Sequence, residues 1–241
     1  MREYKMFPYY GGKKQIIHHF PLPKHNTIIE PFAGAAAYAL HNAQPDTTVI
    51  LIEKNPDIAK VWKYLKRATC REILLLPIPR TGETLAAKKY AYLTNTQRKL
   101  ISLFTSPHNS PYTNNMVVSA RTKWNKSSRL ALSKRLKLVR NWIIYCDDYN
   151  CLKNIRATWF IDPPYQTLDT CTTKNGRAYG PKYGSNSLDY SKLASFVRSC
   201  KGQLIVTEKM GASWLPFRPF ISTANQNKQI YVEAIYLRNR K

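Results

Sequence analysis

The sequence predicts an α/β fold in which a mostly parallel sheet carries helices between its strands and one mainly helical segment is inserted. Three observations carry this expectation. Two strand–turn–helix units follow one another near the start, a basic segment then interrupts the rhythm, and β-branched apolar runs resume beyond it. The expected division is residues 1–67 with 142–241 as one domain, and 68–141 as the insertion.

The first unit is a short strand from Asn26 to Glu30, followed by PFAGAAA and the helix-favouring AYALHNA. The second is TTVILI, Thr47 to Ile52, which ends in Glu53. Asn55, Pro56 and Asp57 then cap a helix expected to run to about Lys66. Such units place ligands at the carboxyl ends of the strands. From about Ala68 to Lys137 the pattern turns to charge-rich helical pieces, Glu83 to Phe104, then SPHNSPYTNN and the basic MVVSARTKWNKSSR. Strands are expected again at Trp142 to Tyr145, Ala157 to Ile161, Gln203 to Thr207 and Ile230 to Leu237, the last suiting a terminal antiparallel pair. The stretch from Gln166 to Ser187 is rich in Gly, Ser, Asn and Tyr and reads as a lid or as a surface loop.

Composition narrows the function. The 241 residues hold 38 Lys+Arg against 14 Asp+Glu, a net charge of +24 that exceeds what solubility requires. Residues 60–141 contain 18 of the basic residues and 2 of the acids, so that segment is expected to face a polyanion. A basic bias without a partner is the plainer alternative. The five cysteines form no CxxC pair and have no matched histidine spacing, which leaves no support for a metal site or a disulfide framework. No apolar run approaches a membrane span, and a cytoplasmic protein, bacterial or phage-encoded, is expected.

Two motifs carry chemistry. Gly34 lies in a small-residue turn that admits a ligand to the backbone, and Glu53 follows nineteen residues later, the spacing at which an acid takes ribose hydroxyls. The plainer reading of Glu53 is a helix cap. The second motif, Asp162-Pro163-Pro164-Tyr165, ends an apolar strand. Proline carbonyls in a fixed geometry beside a carboxylate suit a ligand NH2 group, and Tyr165 offers a face for a flat base. A Pro-Pro turn that only ends a strand leaves the acid and the aromatic unexplained. The stretch Tyr9-Tyr10-Gly11-Gly12-Lys13 is not a phosphate loop, because it lacks the earlier glycine and the following Ser/Thr.

Tyr9 to Lys13, Glu30 to Ala37 (EPFAGAAA), Cys146 to Tyr149 (CDDY) and Asp162 to Tyr165 (DPPY), in that order, resemble the Dam-like (D12 class, α-group) DNA adenine-N6 methyltransferases. The resemblance covers roughly residues 5–66 and 142–238 and is weak in the insertion. It implies a Rossmann-like S-adenosylmethionine-dependent fold with a mostly parallel seven-stranded sheet, residues 68–141 being the target-recognition subdomain. It also implies methyl transfer from S-adenosyl-L-methionine to adenine N6, with S-adenosyl-L-homocysteine as product. Tyr10, Gly11, Gly12, Lys13, Glu30, Pro31, Phe32 and Gly34 would then lie at the cofactor, Glu53 on its ribose, and Asp148 with Tyr149 at its adenine. Asp162, which also borders the cofactor, would hold the flipped base with Pro163, Pro164 and Tyr165. The usual FxGxG has Ala36 at its second glycine here, a departure that bears on cofactor affinity.

Methylation of another planar amine (cytosine N4, an RNA adenine, a protein glutamine) and a non-catalytic DNA-binding relic are the alternative readings. Double-stranded DNA is the expected partner, with Arg121, Lys123, Trp124, Asn125, Lys126, Arg129 and Lys182 as candidate contacts. A cognate restriction nuclease is a candidate second partner, no metal or membrane partner is expected, and the chain is expected to act as a monomer.

Overall fold

The computed structural model describes residues 5–106, 117–120, 122–152, 154–166, 183–224 and 230–239. Its centre is a seven-stranded mixed sheet, as expected of an α/β chain with β-branched buried runs. The strands are β1 (Thr27–Pro31), β2 (Thr48–Ile52), β3 (Ile143–Tyr145), β4 (Arg156–Ile161), β5 (Lys201–Lys209), β6 (Arg218–Ala224) and β7 (Ile230–Asn239). Their order is β3-β2-β1-β4-β5-β7-β6. The first five are parallel, β7 runs antiparallel to β5, and β6 antiparallel to β7.

The chain leaves β1 toward β2 on one side and later returns as β4 on the other. The order of winding therefore reverses between β1 and β4, and in open α/β sheets a crevice forms at the carboxyl ends of two such strands. Glu30 to Gly34 and Asp162 emerge there.

Helices α1 (Ala37–Asn42), α2 (Pro56–Arg67), α3 (Cys70–Leu75), α4 (Asn95–Thr105), α5 (Lys126–Arg135) and α6 (Tyr190–Ser199) surround the sheet. Asn55 caps α2 by accepting from the Asp57 amide, with Pro56 in the first turn where its missing N–H costs nothing. On one face of the sheet Ile28, Leu51 and Phe160 pack with Trp62, Leu100, Ile101, Trp124 and Leu132; on the other Ile29, Trp159 and Leu204 pack with Leu193 and Val197 of α6. The helices within 68–141 thus add their apolar faces to the sheet's own core.

The helical pieces expected between Glu83 and Phe104 are two in the structure. Residues Lys88–Tyr90 form only a 3-10 turn, and α4 starts at Asn95, where Thr94 and Gln97 form a reciprocal capping box. Strand β6 was not anticipated. Its sequence RPFISTA contains a proline, which removes a ladder donor, and the ladder is irregular between Pro219 and Ile221, as suits an edge strand. The expected lid lies mostly outside the described residues, as do Ser110 to Asn115, Arg121 and Lys182.

Arginines close three helix ends. Arg140 donates to the carbonyls of Lys66 at 2.6 Å and Ala68 at 2.5 Å, after α2. Arg129 donates to Leu74, at 2.7 Å, and to Leu76, after α3. Arg238 donates to Val197, Arg198 and Cys200, after α6. Cations at helix carboxyl ends satisfy the last carbonyls and the dipole. Part of the positive charge is therefore structural.

Candidate active site

The turn after β1 is clamped from both sides. The Gly34 amide donates to Glu53 Oε2 at 2.9 Å, and the Gly34 carbonyl accepts from Trp62 Nε1 at 2.8 Å. Gly34 has φ 46°, and a Cβ there would stand 2.9 Å from the Tyr9 ring, so glycine is required twice over. Phe32 and Ala36 also take positive φ, 60° and 48°. Ala36 thus stands at a left-handed position, where the alanine methyl costs about 1 kcal/mol or more. The same buried Ala36 is the N-cap of α1 and has no side-chain cap to offer. Glu30 supplies it, its Oε1 accepting from the Ala39 amide.

Glu53 also accepts from the Asn55 amide at 2.8 Å, so both of its oxygens hold backbone while it lines the cleft. Burial lifts its carboxyl to about 6, against the pull of the two amides. Burial lifts Glu30 further, to about 8, and the charge of Asp162 adds to the rise. At the far end Asp148 pairs with Lys54 at 2.7 Å and accepts from the Tyr149 amide at 2.8 Å. Tyr149 stacks on Phe32 with ring centroids 5.4 Å apart.

Asp162 stands where β4 ends. Its Oδ1 accepts from Thr207 Oγ1 at 2.6 Å and lies 2.9 Å from Lys13 Nζ. The rest of the motif is also held from outside. The Pro164 carbonyl accepts from the Tyr190 hydroxyl at 2.6 Å, and Tyr165 donates its hydroxyl to Glu233. The Gln166 amide donates to both oxygens of Glu208 at 3.2 Å, and Trp214 Nε1 donates to Glu208 at 2.8 Å. Burial lifts Glu208 to about 7. The Lys13 ammonium also donates to the Gly11 carbonyl at 3.1 Å and sits 4.7 Å over the Tyr165 ring.

One cleft joins these parts. It is lined by Tyr10, Gly11, Gly12 and Lys13, by Glu30, Phe32 and Gly34, by Glu53, Asp148 and Tyr149, and by Asp162 and Pro164. Five separated stretches of sequence therefore meet at the crevice between β1 and β4. Residues 9–101 match the family model of the D12 class N6 adenine-specific DNA methyltransferases. That match bears out the resemblance to Dam-like methyltransferases read from the motifs. It contains the Tyr9 to Lys13 motif, the turn after β1 and Glu53; the CDDY and DPPY stretches lie beyond it. No curated protein matches the chain.

Several expected site residues stand elsewhere. Pro31 is the buried last residue of β1, in register with Ile52, and is outside the cleft lining. Pro163 is buried behind the lining, and the Tyr165 face expected to receive a base carries the Lys13 ammonium. Trp124 is no groove contact: it is 1% exposed, packs on Phe104 at 4.9 Å and donates to the Pro77 carbonyl. Arg129 is committed to the end of α3, and Asn125 caps α5 by accepting from Ser128. Lys123 and Lys126 are exposed.

Thr207, Glu208, Tyr190 and Glu233 went unnoticed in the sequence. The signal was an acid within each of two strands, beside apolar runs in LIVTEK and YVEAI, since buried acids are rare without a partner. Among the described residues no group of His, Cys, Asp and Glu is placed to hold a metal ion, and no helix is long and apolar enough to cross a membrane.

Proposed function

We propose that the protein transfers a methyl group from S-adenosyl-L-methionine to the N6 amino group of an adenine flipped out of double-stranded DNA. One observation carries this reading above the others. In a chain with 38 basic residues and 14 acids, five of the acids (Glu30, Glu53, Asp147, Asp148 and Asp162) line a single cleft beside Lys13 and Lys54. A concentration of acid against the overall charge suits a cationic ligand, with Glu30, lifted to about 8, serving as a hydrogen-bonding group rather than a charge. The donor set also fits a nucleoside, with Glu53 and Asp148 for hydroxyl and amino groups, Phe32 as an apolar surface, and a glycine turn for close approach. When bound, the cofactor would supply an electrophilic methyl on a cationic sulfur.

The chain's own residues then divide the work. Tyr10 to Lys13, Glu30, Phe32 and Gly34 bind the cofactor, Glu53 its ribose, and Asp148 with Tyr149 its adenine. Among the described residues Thr207 and Lys13 both meet Asp162 at Oδ1, which supports Oδ2 as the acceptor for an incoming amine. Asp162 Oδ2 would accept an N–H of that amine, which draws the nitrogen lone pair away from ring conjugation. The Pro164 carbonyl already fixes the loop through Tyr190. Alkylation makes the amine strongly acidic, so its proton leaves without a dedicated base, and positioning and water exclusion carry most of the rate. Flipping the base costs a few kcal/mol. Lys123 and Lys126, with the rest of residues 68–141, would offset that cost through phosphate contacts and serve as the target-recognition part.

The test is to incubate the protein with methyl-labelled S-adenosylmethionine and DNA, RNA or a protein extract. Label in DNA is expected. Label in RNA or protein, or none despite DNA binding, would overturn the reading.

A further inference from the structure

The slot at Asp162 leaves one buried carboxylate unexplained. Glu233 lies on β7, in register with Lys209 of β5 and Ile221 of β6, and is 3% exposed. A carboxylate in such a place is costly unless it is paired. Its Oε2 accepts from the Tyr165 hydroxyl, and its Oε1 stands 4.0 Å from the Lys13 ammonium. That ammonium is meanwhile 2.9 Å from Asp162 and 4.7 Å over the Tyr165 ring. Lys13 therefore covers the acid and the aromatic face that an adenine would use.

We propose that Glu233 is a positioning residue of this slot: it fixes the Tyr165 ring through the phenol hydroxyl and receives the Lys13 ammonium when a substrate amine takes its place on Asp162. The proposal rests on the reading of Asp162 to Tyr165 as the amine slot. Because Lys13 already faces both carboxylates, it can change partner without passing through an unpaired buried state, which would be strongly unfavourable. The charged and titratable groups around Glu233 are Lys13, Asp162 and Tyr165, with Lys209 as its register neighbour. Burial, and to a lesser degree the Asp162 charge, lift the Glu233 carboxyl, while Lys13 and the Tyr165 hydroxyl pull it back. A protonated Glu233 cannot receive the ammonium, so the exchange fails in acid.

The test compares wild type, Glu233→Gln and Glu233→Asp in steady-state methyl transfer from acid to neutral pH, with melting curves for each. Glutamine keeps an acceptor for Tyr165 but carries no charge for Lys13. Glu233→Gln is expected to lower kcat about tenfold, the equivalent of one charge-assisted hydrogen bond, with KM for the cofactor nearly unchanged. The acid limb of the wild-type profile should flatten in Glu233→Gln and persist in Glu233→Asp. Wild-type label in adenine, with Glu233→Gln matching it in kcat and pH profile, overturns the role of Glu233 alone. So does a rate loss that only tracks a lower Tm. Wild-type label outside adenine overturns the proposed function and this inference with it.

Discussion

The DPPY loop and the basic segment were both read from residue types, and the structure treats them differently. Around Asp162 three of the four singled-out residues, Asp162, Pro164 and Tyr165, have partners brought from elsewhere in the chain: Lys13, Thr207, Tyr190, Glu233. In the stretch from Thr122 to Arg129, the tryptophan is core, one basic residue closes a helix and the asparagine is a cap, leaving Lys123 and Lys126 exposed. An acid followed by two prolines at a strand end has few structural uses. A basic residue or a tryptophan on a helical segment has many, since packing and capping recruit the same residue types as DNA does.

Five changes would break or sharpen that contrast. Asp162→Ala should reduce methyl transfer about 10²–10³-fold or more, the scale of losing a preorganised polar group at a reacting centre, while DNA binding stays near wild type. Turnover assays beside gel-shift titrations would show it, and unchanged turnover would remove DPPY from the chemistry.

In the basic segment the expected effects separate by burial. Trp124→Ala should cost about 3–5 kcal/mol of stability by emptying a core position, seen as a lower denaturant midpoint. Neutralising Lys123 and Lys126 together should leave the midpoint alone and flatten the dependence of log K on log salt by up to about 2. A stable Trp124→Ala protein with a weakened DNA complex would reverse the assignment.

The fourth change uses pH. Glu30, Glu53 and Glu208 are lifted by burial from the ordinary 4.5 to about 8, 6 and 7. A raised folded value means that the neutral form is favoured by folding. The associated stability is complete below 4.5 and is lost as pH rises through the folded values, so Tm should fall between about 4.5 and 8. Glu30→Gln should shrink that fall; the same slope in the variant would show that Glu30 is ionised throughout. The smallest effect is expected for Ala36→Gly, a gain of about 0.5–1 kcal/mol from relief of the left-handed alanine, read as a small rise in Tm.

These contrasts also measure what the sequence could reveal. Strands β1, β2, β4 and β5 were legible because buried parallel strands are unbroken β-branched runs, and the order of the motifs pointed to a crevice they share. β6 was hidden by its proline. The second ring of the site was hidden because a hydrogen bond such as Tyr165 to Glu233 joins residues far apart in the chain, which no local pattern encodes. Ala36 was noticed for its methyl group; that the methyl also sits at positive φ needed the backbone.

The most direct measurement is the position of the transferred methyl group. DNA labelled by the protein from S-adenosylmethionine would be digested to nucleosides and separated. The account predicts label in N6-methyladenine; label in N4-methylcytosine, or unmodified nucleosides from DNA that the protein demonstrably binds, would contradict it.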